Sequence, residues 1–235
     1  MPSIACLSQQ SCFTHCSKRG AISYSNSKDS IQLQEILMPE PIFKPIFADT
    51  WDSLPPAIQK HYANRPYCDD HVVVEGTLNI TCNRWLRPIL QLFKTVPPYI
   101  GNDIPVTVHF KSRPDSNAFH FERAFYFPNT KEPYRFHSLM TQVSGSEVLE
   151  RMHLGIGWHS DYLWDGQRII LRHKGFSWGI GRFRIPLPIT WLMGCGGAWE
   201  EPLDDNSFAM SAHLIHPIFR QIYEYTGTFH FTKTI

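Results

Sequence analysis

The chain has 235 residues, of which 43% are hydrophobic and 14% aromatic, and it carries 22 Lys and Arg against 21 Asp and Glu. This composition supplies enough apolar material for one large domain. A net charge of +1 gives no long-range field that would draw the chain to nucleic acid or to an anionic membrane. Since no run of about 18 apolar residues occurs, no segment is predicted to span a membrane.

Residues 1–40 are predicted to form a poorly ordered leader, because this stretch is rich in Ser and Gln and shows neither helical nor strand periodicity. The leader lacks the continuous apolar segment of a secretory signal. The six cysteines are scattered along a chain that is large enough to fold without covalent cross-links, so reduced thiols are expected. Together these features favour a cytoplasmic location.

The first half of the remaining chain predicts an arm, two helices and one strand. The Pro-punctuated stretch 38–47 is expected to lie as an extended arm on the domain. A short helix is expected from a cap at Asp52 or Ser53 to Tyr62, and a strand at 71–81. An amphipathic helix is predicted at 84–94, where it would pack across one mouth of the domain.

The second half predicts one antiparallel strand after another. Two hairpins are expected, one around Ser144-Gly145-Ser146 and one around Asp165-Gly166, the latter with a type I′ turn that needs positive φ at both central residues. A third pairs residues on either side of 204–206. The predicted strands from 105 onward are 105–111, 118–127, 134–143, 147–153, 159–164, 167–173, the stretch around 183–185, 199–201, 207–214 and 223–231.

One predicted strand carries a charge on its apolar face. In AFHFERAFYF (118–127), the phenylalanines at 119, 121, 125 and 127 alternate with polar residues, and Arg123 falls within the apolar row. A guanidinium turned inward among aromatic rings needs a carboxylate or a ligand anion, because an unpaired buried charge is too costly. Glu150 and Glu147 are the expected partners.

The pattern predicts a mainly β protein in which residues 41–235 form one domain. We expect a curved antiparallel sheet or a lipocalin-like barrel of about ten strands, with N-terminal helices. The alternative is a helix-grip (START-like) fold, which requires a long C-terminal helix. Residues 216–224 are the only late stretch that could be helical, and the alternating Tyr223, Tyr225 and Phe229 beyond it favour a strand.

Several motifs in order resemble the bacterial domain-of-unknown-function family 4166 over about residues 45–235. They are LPPAIQKHY (54–62), VVVEG (72–76), PVTVHF (105–110), FERAF (121–125), FHS (136–138), LERMHLG (149–155), RIPLPITWL (184–192), AWEE (198–201) and HPIFRQIYEYTGTF (216–229). This chain has Phe121 where the family tends to have Trp. The resemblance implies a link to a saccharopine-dehydrogenase-like redox module. Because this chain lacks the Gly-rich fingerprint, that module would be a separate partner. The family implies no activity.

The candidate ligand-binding residues surround Arg123. Glu150 and His137 would form the polar floor of a cavity with it, with Ser138 beside them. The aromatic contacts would come from Phe121, Phe125 and Trp178. The alternative for Arg123 and Glu150 is a purely structural ion pair, and for the tryptophans it is core filling.

The sequence predicts no nucleophile, metal site or cofactor. Cys195 lies in a Gly-rich turn with no feature that would activate its thiol. His213 and His216 would not converge on a strand, and neither Cys12, His15 and Cys16 nor Cys68, Asp70 and His71 have the spacing of a zinc module.

Three functions follow as hypotheses. The preferred one is a non-catalytic module that holds a hydrophobic or amphipathic small molecule in the barrel. The second is an enzyme of the same architecture in which Glu150 or His137 acts as acid or base, working with the separate redox protein. The third is a protein-interaction module that uses a sheet edge or the aromatic C-terminal strand.

Overall fold

A computed structural model describes residues 39–234 of the chain, apart from 95, 129, 181 and 182. The expectations for the leader at 1–38, including those for Cys6, Cys12 and Cys16, lie outside the described residues. No helix in the described ranges is both long enough and apolar enough to cross a membrane.

The helices are short, and three of the four carry a proline in their first turn. α1 is Lys44–Phe47, α2 is Pro56–His61, α3 is Arg87–Phe93 and α4 is Thr190–Met193, and 3₁₀ turns occupy Ala48–Ser53 and His153–Gly155. In α1, α2 and α3 a proline occupies the first or second position, where its missing N–H is not needed. The extended arm predicted at 38–47 is therefore wrong over 44–47, because Pro45 begins a helical turn there.

Eleven antiparallel strands form one sheet in the described part of the chain. They are β1 (His71–Cys82), β2 (Gly101–Arg113), β3 (Ser116–Phe125), β4 (Tyr134–Ser144), β5 (Glu147–Arg151), β6 (Ile156–Trp164), β7 (Ile169–Ile180), β8 (Phe183–Leu187), β9 (Cys195–Asp204), β10 (Ser207–His216) and β11 (Arg220–Lys233).

The strand order closes ten of these strands into a barrel. The order is β6-β5-β4-β3-β2-β1-β11-β10-β9-β7-β8, and β6 also pairs with β7, which closes the ring and leaves β8 as an extra strand beside β7. The predicted mainly β barrel is confirmed. The helix-grip alternative is wrong, because the C-terminal stretch forms β11 rather than a helix.

The hairpins form as predicted, with one difference in turn geometry. β6 and β7 meet around Asp165 and Gly166, but of these two residues only Gly166 has a positive φ, at 99°. The carboxylate of Asp165 instead accepts the backbone N–H groups of Gln167 and Arg168 at 2.9 and 2.8 Å. The turn is thus organised by a side-chain acceptor and needs only one residue at positive φ.

Two glycines allow β1 and β11 to approach closely. A Cβ on Gly76 would collide with the carbonyl oxygen of Thr228, and a Cβ on Gly227 would collide with that of Thr77. Glycines at such positions let paired strands bend tightly, as a small barrel requires.

Residues 41–67 close one end of the barrel, which we call the plugged end. The ring of Phe43 is fully buried and lies 4.4 Å from that of Tyr62, 5.1 Å from Phe119 and 5.3 Å from Tyr162, measured between centroids. The opposite end carries α3, and the fully buried Leu86 and Leu90 belong to the same hydrophobic core. Residues 41–67 therefore fill the interior of the barrel at the plugged end.

Candidate functional site

Arg123 lies on the inner wall of the barrel in a compact polar cluster. Alternation along β3 turns it inward with Phe119, Phe121 and Phe125, and it is 6% exposed. Its Nη2 donates to Glu150 Oε1 and to Ser138 Oγ, each at 2.7 Å. Ser138 Oγ donates in turn to the same carboxylate oxygen at 2.6 Å. The predicted contact between Arg123 and Glu150 therefore forms, with Ser138 bridging the pair.

Two aromatic rings hold the guanidinium from its sides. Its central carbon lies 3.5 Å from the ring centroid of Phe121 and 4.2 Å from that of Phe136. Cation–π attraction of this kind is strongest where water is excluded. The Nε of Arg123 is buried with no hydrogen-bond partner, so this N–H group is an unused donor inside the barrel.

A second polar group comes from the plug and β9. Tyr62, which directly follows α2, donates its hydroxyl to Glu200 Oε2 at 2.6 Å. His61 Nδ1 lies 3.4 Å from the same oxygen but makes no hydrogen bond. The His61 ring stacks on that of Tyr62, with centroids 4.2 Å apart. The plug thus brings a histidine and a tyrosine to a carboxyl group on the barrel wall.

Burial sets the charge of this second group. Desolvation raises the pKa of Glu200 to about 7, although the Tyr62 hydroxyl and Arg123 act in the opposite direction. Desolvation, with a smaller contribution from Arg123, lowers the pKa of His61 to about 3. His61 and Glu200 are within ion-pair distance, but His61 is neutral near pH 7. The pair is a neutral imidazole beside a half-protonated carboxyl group.

Two small cavities adjoin the polar groups. The larger one has a volume of about 40 Å³, and its lining includes Arg123, Glu150, Glu200 and Tyr62. The other has about 20 Å³ and is lined mainly by apolar side chains such as Phe208 and Phe229. The residues that line both cavities are His61, Phe121, Arg123, Glu200, Met210 and Tyr225.

The structure brings together four of the six residues predicted to bind a ligand. Arg123, Glu150 and Phe121 line the larger cavity, and Phe125 lines the smaller one. His137 is exposed on the outer face of β4, opposite Glu122 of β3, so the expectation that it lines the cavity is wrong. Trp178 is 42% exposed and donates its ring N–H to the carbonyl of Leu154, away from both cavities.

Three residues of the site are absent from the sequence-based prediction. His61 and Tyr62 end the LPPAIQKHY motif, and Glu200 lies within AWEE. The register of β9 with β10 aligns Glu200 with Met210, a cavity-lining residue. Predicting the hairpin register between 195–204 and 207–216 would have identified Glu200 as a residue that faces the interior.

The candidate metal ligands that the structure describes and the alternative carboxylate partner of Arg123 lie outside the site. Among the described residues no group of three or more His, Cys, Asp or Glu side chains is arranged to hold a metal ion. Glu147, the alternative partner for Arg123, points outward, where it contacts His159 at 2.9 Å and Lys174 at 2.7 Å.

Comparison with known families gives one match. Residues 54–229 match the family described as Domain of unknown function (DUF4166), which is most of the chain. The chain belongs to the DUF4166 family. No curated protein matches it. The DUF4166 match begins at the loop before α2, so the residues that form the polar cluster, from His61 to Glu200, all lie within the matched range.

Proposed function

We propose that this DUF4166 domain is a non-catalytic binding module that holds a small amphipathic molecule inside the barrel. An oxygen-bearing head group would lie in the larger cavity against Arg123 and Glu200. An apolar body would extend into the smaller cavity against Phe208 and Phe229. The observation that carries the proposal is the unused Nε donor of Arg123, a residue that is packed against two aromatic rings and lines both cavities.

Unused polar atoms inside a barrel favour a bound polar group. A buried donor or acceptor without a partner costs about 1–3 kcal/mol of stability. The two polar groups of the site each contain one such atom, Arg123 Nε in the first and His61 Nδ1 in the second. A ligand oxygen that accepts from Arg123 recovers part of that cost. The protonated form of Glu200 supplies a second donor beside it, so the head group is expected to be an acceptor such as a carboxylate or a carbonyl.

The cavity volumes limit the size of the ligand. Pockets for drug-sized ligands have about 300–1,000 Å³, whereas the larger cavity here has about 40 Å³, enough for water. Met210 lines both cavities, and its unbranched side chain can change rotamer at low cost. Movement of Met210 would join the two spaces. Binding is therefore expected to be coupled to a rearrangement of the interior, and long-chain lipids are expected to bind more weakly than short ones.

The test is native mass spectrometry of gently purified protein, followed by thermal unfolding with fatty acids of increasing chain length. The informative variant is Ala212→Leu, which fills the larger cavity from β10. Its control is Ala209→Leu, which adds the same volume outside both cavities on the same strand. The proposal predicts that Ala212→Leu weakens binding about tenfold or more, a loss of roughly 1.4 kcal/mol, while the control binds normally. Equal binding by both variants, or none by the wild type, would refute it.

One observation favours an enzyme as the second candidate. A buried carboxyl group with a pKa of about 7, beside a tyrosine and a histidine, has the properties of a general acid or base. Glu200 takes this role in place of the Glu150 and His137 of the sequence-based hypothesis, with a redox protein as partner. If a ligand found by mass spectrometry is turned over, Glu200→Gln should abolish turnover while binding persists. Undiminished turnover by the variant would exclude Glu200 as the base.

The proposal also includes a cytoplasmic location. It is supported by the thiols of Cys82 and Cys195, which form no disulfide. Fractionation of the native host followed by detection of the chain would test it.

A further inference from the structure

The exposed hydrophobic side chains of this protein gather at one end of the barrel. We call it the aromatic end and define it as residues 83–103, 126–135, 151–155, 178–196 and 213–224, taking only the residues that the structure describes. Of the seventeen large hydrophobic side chains that are exposed in the described chain, only Tyr67, Val143 and Leu203 lie elsewhere. The others are Trp85, Leu92, Tyr99, Ile100, Tyr126, Leu154, Trp178, Phe183, Ile185, Trp191, Leu192, Ile215, Ile218 and Phe219.

The most exposed of these residues are held in place by the fold. Ile218 and Phe219, at the turn between β10 and β11, are 76% and 55% exposed, and their backbone N–H groups both donate to His216 Nδ1. The other ring nitrogen of His216 contacts the carbonyl oxygen of Trp191 at 2.7 Å, and Trp191 is 70% exposed. One buried histidine thus fixes two apolar tips side by side.

Neighbouring aromatic residues extend this surface. The ring of Trp85, just before α3, lies 5.5 Å from that of Phe219. Trp178 is tied to the carbonyl of Leu154, which is itself 54% exposed. Exposed apolar side chains concentrated at one end of a protein are typical of an interaction site, and tryptophan and tyrosine are typical of the boundary between membrane and water.

The charge at this end differs from that of the whole chain. The aromatic end has eight basic and three acidic residues, a net charge of +5, although the complete chain has only +1. The basic residues are Arg84, Arg87, Lys94, Lys131, Arg135, Arg151, Arg184 and Arg220, and the acidic ones are Asp103, Glu132 and Glu224. The net charge of +1 for the whole chain therefore conceals an uneven distribution, in which the aromatic end is positive and the rest of the chain is negative.

We propose that the aromatic end docks on an anionic lipid surface, with Ile218, Phe219 and Trp191 entering the interfacial region. Exposed apolar side chains that share one end of the barrel with an excess of basic residues match such a surface in both polarity and charge. This proposal goes beyond the interior ligand and does not depend on it.

A second copy of the chain fits this end less well than a lipid surface does. Two aromatic ends placed face to face would bring two net positive charges together, whereas acidic lipid head groups would neutralise them. Charge complementarity therefore selects the lipid surface.

The experiment is co-sedimentation of the full chain with vesicles. Vesicles of phosphatidylcholine alone are compared with vesicles that also contain phosphatidylserine. The wild type should sediment with the phosphatidylserine vesicles, and less so as salt is added. The double substitution Ile218→Ser and Phe219→Ser should lower the partition coefficient about tenfold or more. Arg84→Gln and Arg151→Gln should each lower it about fivefold, on the anionic vesicles only.

The matched control removes exposed hydrophobic side chains elsewhere. The double substitution Val143→Ser and Leu203→Ser should leave the partition coefficient unchanged, because neither residue lies at the aromatic end. The proposal is overturned if the wild type does not bind the phosphatidylserine vesicles, or if the two double variants bind alike. It is also overturned if sedimentation equilibrium shows a dimer that the Ile218 and Phe219 variant dissociates while vesicle binding stays unchanged.

Discussion

Replacing Glu200 by Gln should stabilise the protein in a pH-dependent way. Burial raises the pKa of Glu200 from 4.5 to about 7. The folded protein therefore keeps a proton that the unfolded chain releases between these values, and stability falls as pH rises through this window. A difference of about 2.5 pKa units at 1.36 kcal/mol each corresponds to about 3 kcal/mol. That is the cost of ionising Glu200 inside the barrel.

The variant removes this cost because Gln resembles the protonated carboxyl group and still offers an oxygen to Tyr62. Wild type and variant should be nearly equally stable near pH 4, where Glu200 is protonated in the folded protein and mostly protonated in the unfolded chain. By about pH 8 the variant should be more stable by about 3 kcal/mol. Urea denaturation at a series of pH values measures the difference directly.

His61 contributes an opposite dependence that the comparison cancels. Burial lowers the pKa of His61 from 6.5 to about 3. Between these pH values the unfolded chain binds a proton on His61 and the folded chain does not. Its contribution to stability is therefore complete above pH 6.5 and is lost as the pH falls towards 3. Both proteins share this loss.

The control is Glu201→Gln, on the opposite face of β9 from Glu200. Its effect on stability should not grow with pH in this window. A Glu200→Gln variant whose advantage stays flat with pH, or that is less stable than the wild type at pH 8, would show that Glu200 is ionised and well paired. That result would refute the assignment of its charge.

The remaining predictions concern packing and the ion pair, and all are measured by chemical denaturation. Arg123→Met should lower the free energy of unfolding by about 3–5 kcal/mol, because it leaves Glu150 buried and unpaired. Adding Glu150→Met should recover most of that free energy, and a double variant as unstable as Arg123→Met would contradict this. Ser138→Ala should cost about 1–3 kcal/mol, since its hydroxyl bridges both charged groups; a neutral effect would mean that water replaces it. Gly227→Ala should cost more than about 1 kcal/mol, because its Cβ would collide with the carbonyl oxygen of Thr77. Unchanged stability would show that the two strands can separate there.

The fold was predictable wherever a strand has a clear apolar face. Phe119, Phe121 and Phe125 alternate with polar residues and define the inner face of β3, and the Gly and Asp turns define the hairpins. The arm at 38–47 was not predictable in the same way. Proline is compatible both with extended chain and with the first turn of a helix. The helix at 44–47 directly follows Phe43, whose packing against Tyr62 and Phe119 is a tertiary contact that the local sequence does not reveal.

The site was predictable only where a rule of pairing applied. A buried Arg123 requires a carboxylate, and Glu150 is the residue that meets it. Strand alternation alone rules out His137 as a lining residue together with Ser138, since neighbours in a strand face opposite sides. The sequence around Glu200 gives no such signal. In AWEE (198–201) each face of the strand carries one apolar residue and one glutamate, so either face could be the inner one. Only the register of β9 with β10 separates the two faces.

One residue connects the interior cavity with the aromatic end. β7 pairs with β9 over 169–172 and with β8 over 176–180, so among the described residues no strand pairs with the start of β9 on that side. Trp158 lines the larger cavity, donates its ring N–H to His173 at 2.8 Å, and packs so near Gly196 that an added Cβ would lie 3.2 Å from the indole. The Trp158 indole therefore packs against β9 at a point where β9 is not paired with β7, and the absence of a side chain at Gly196 leaves room for the indole.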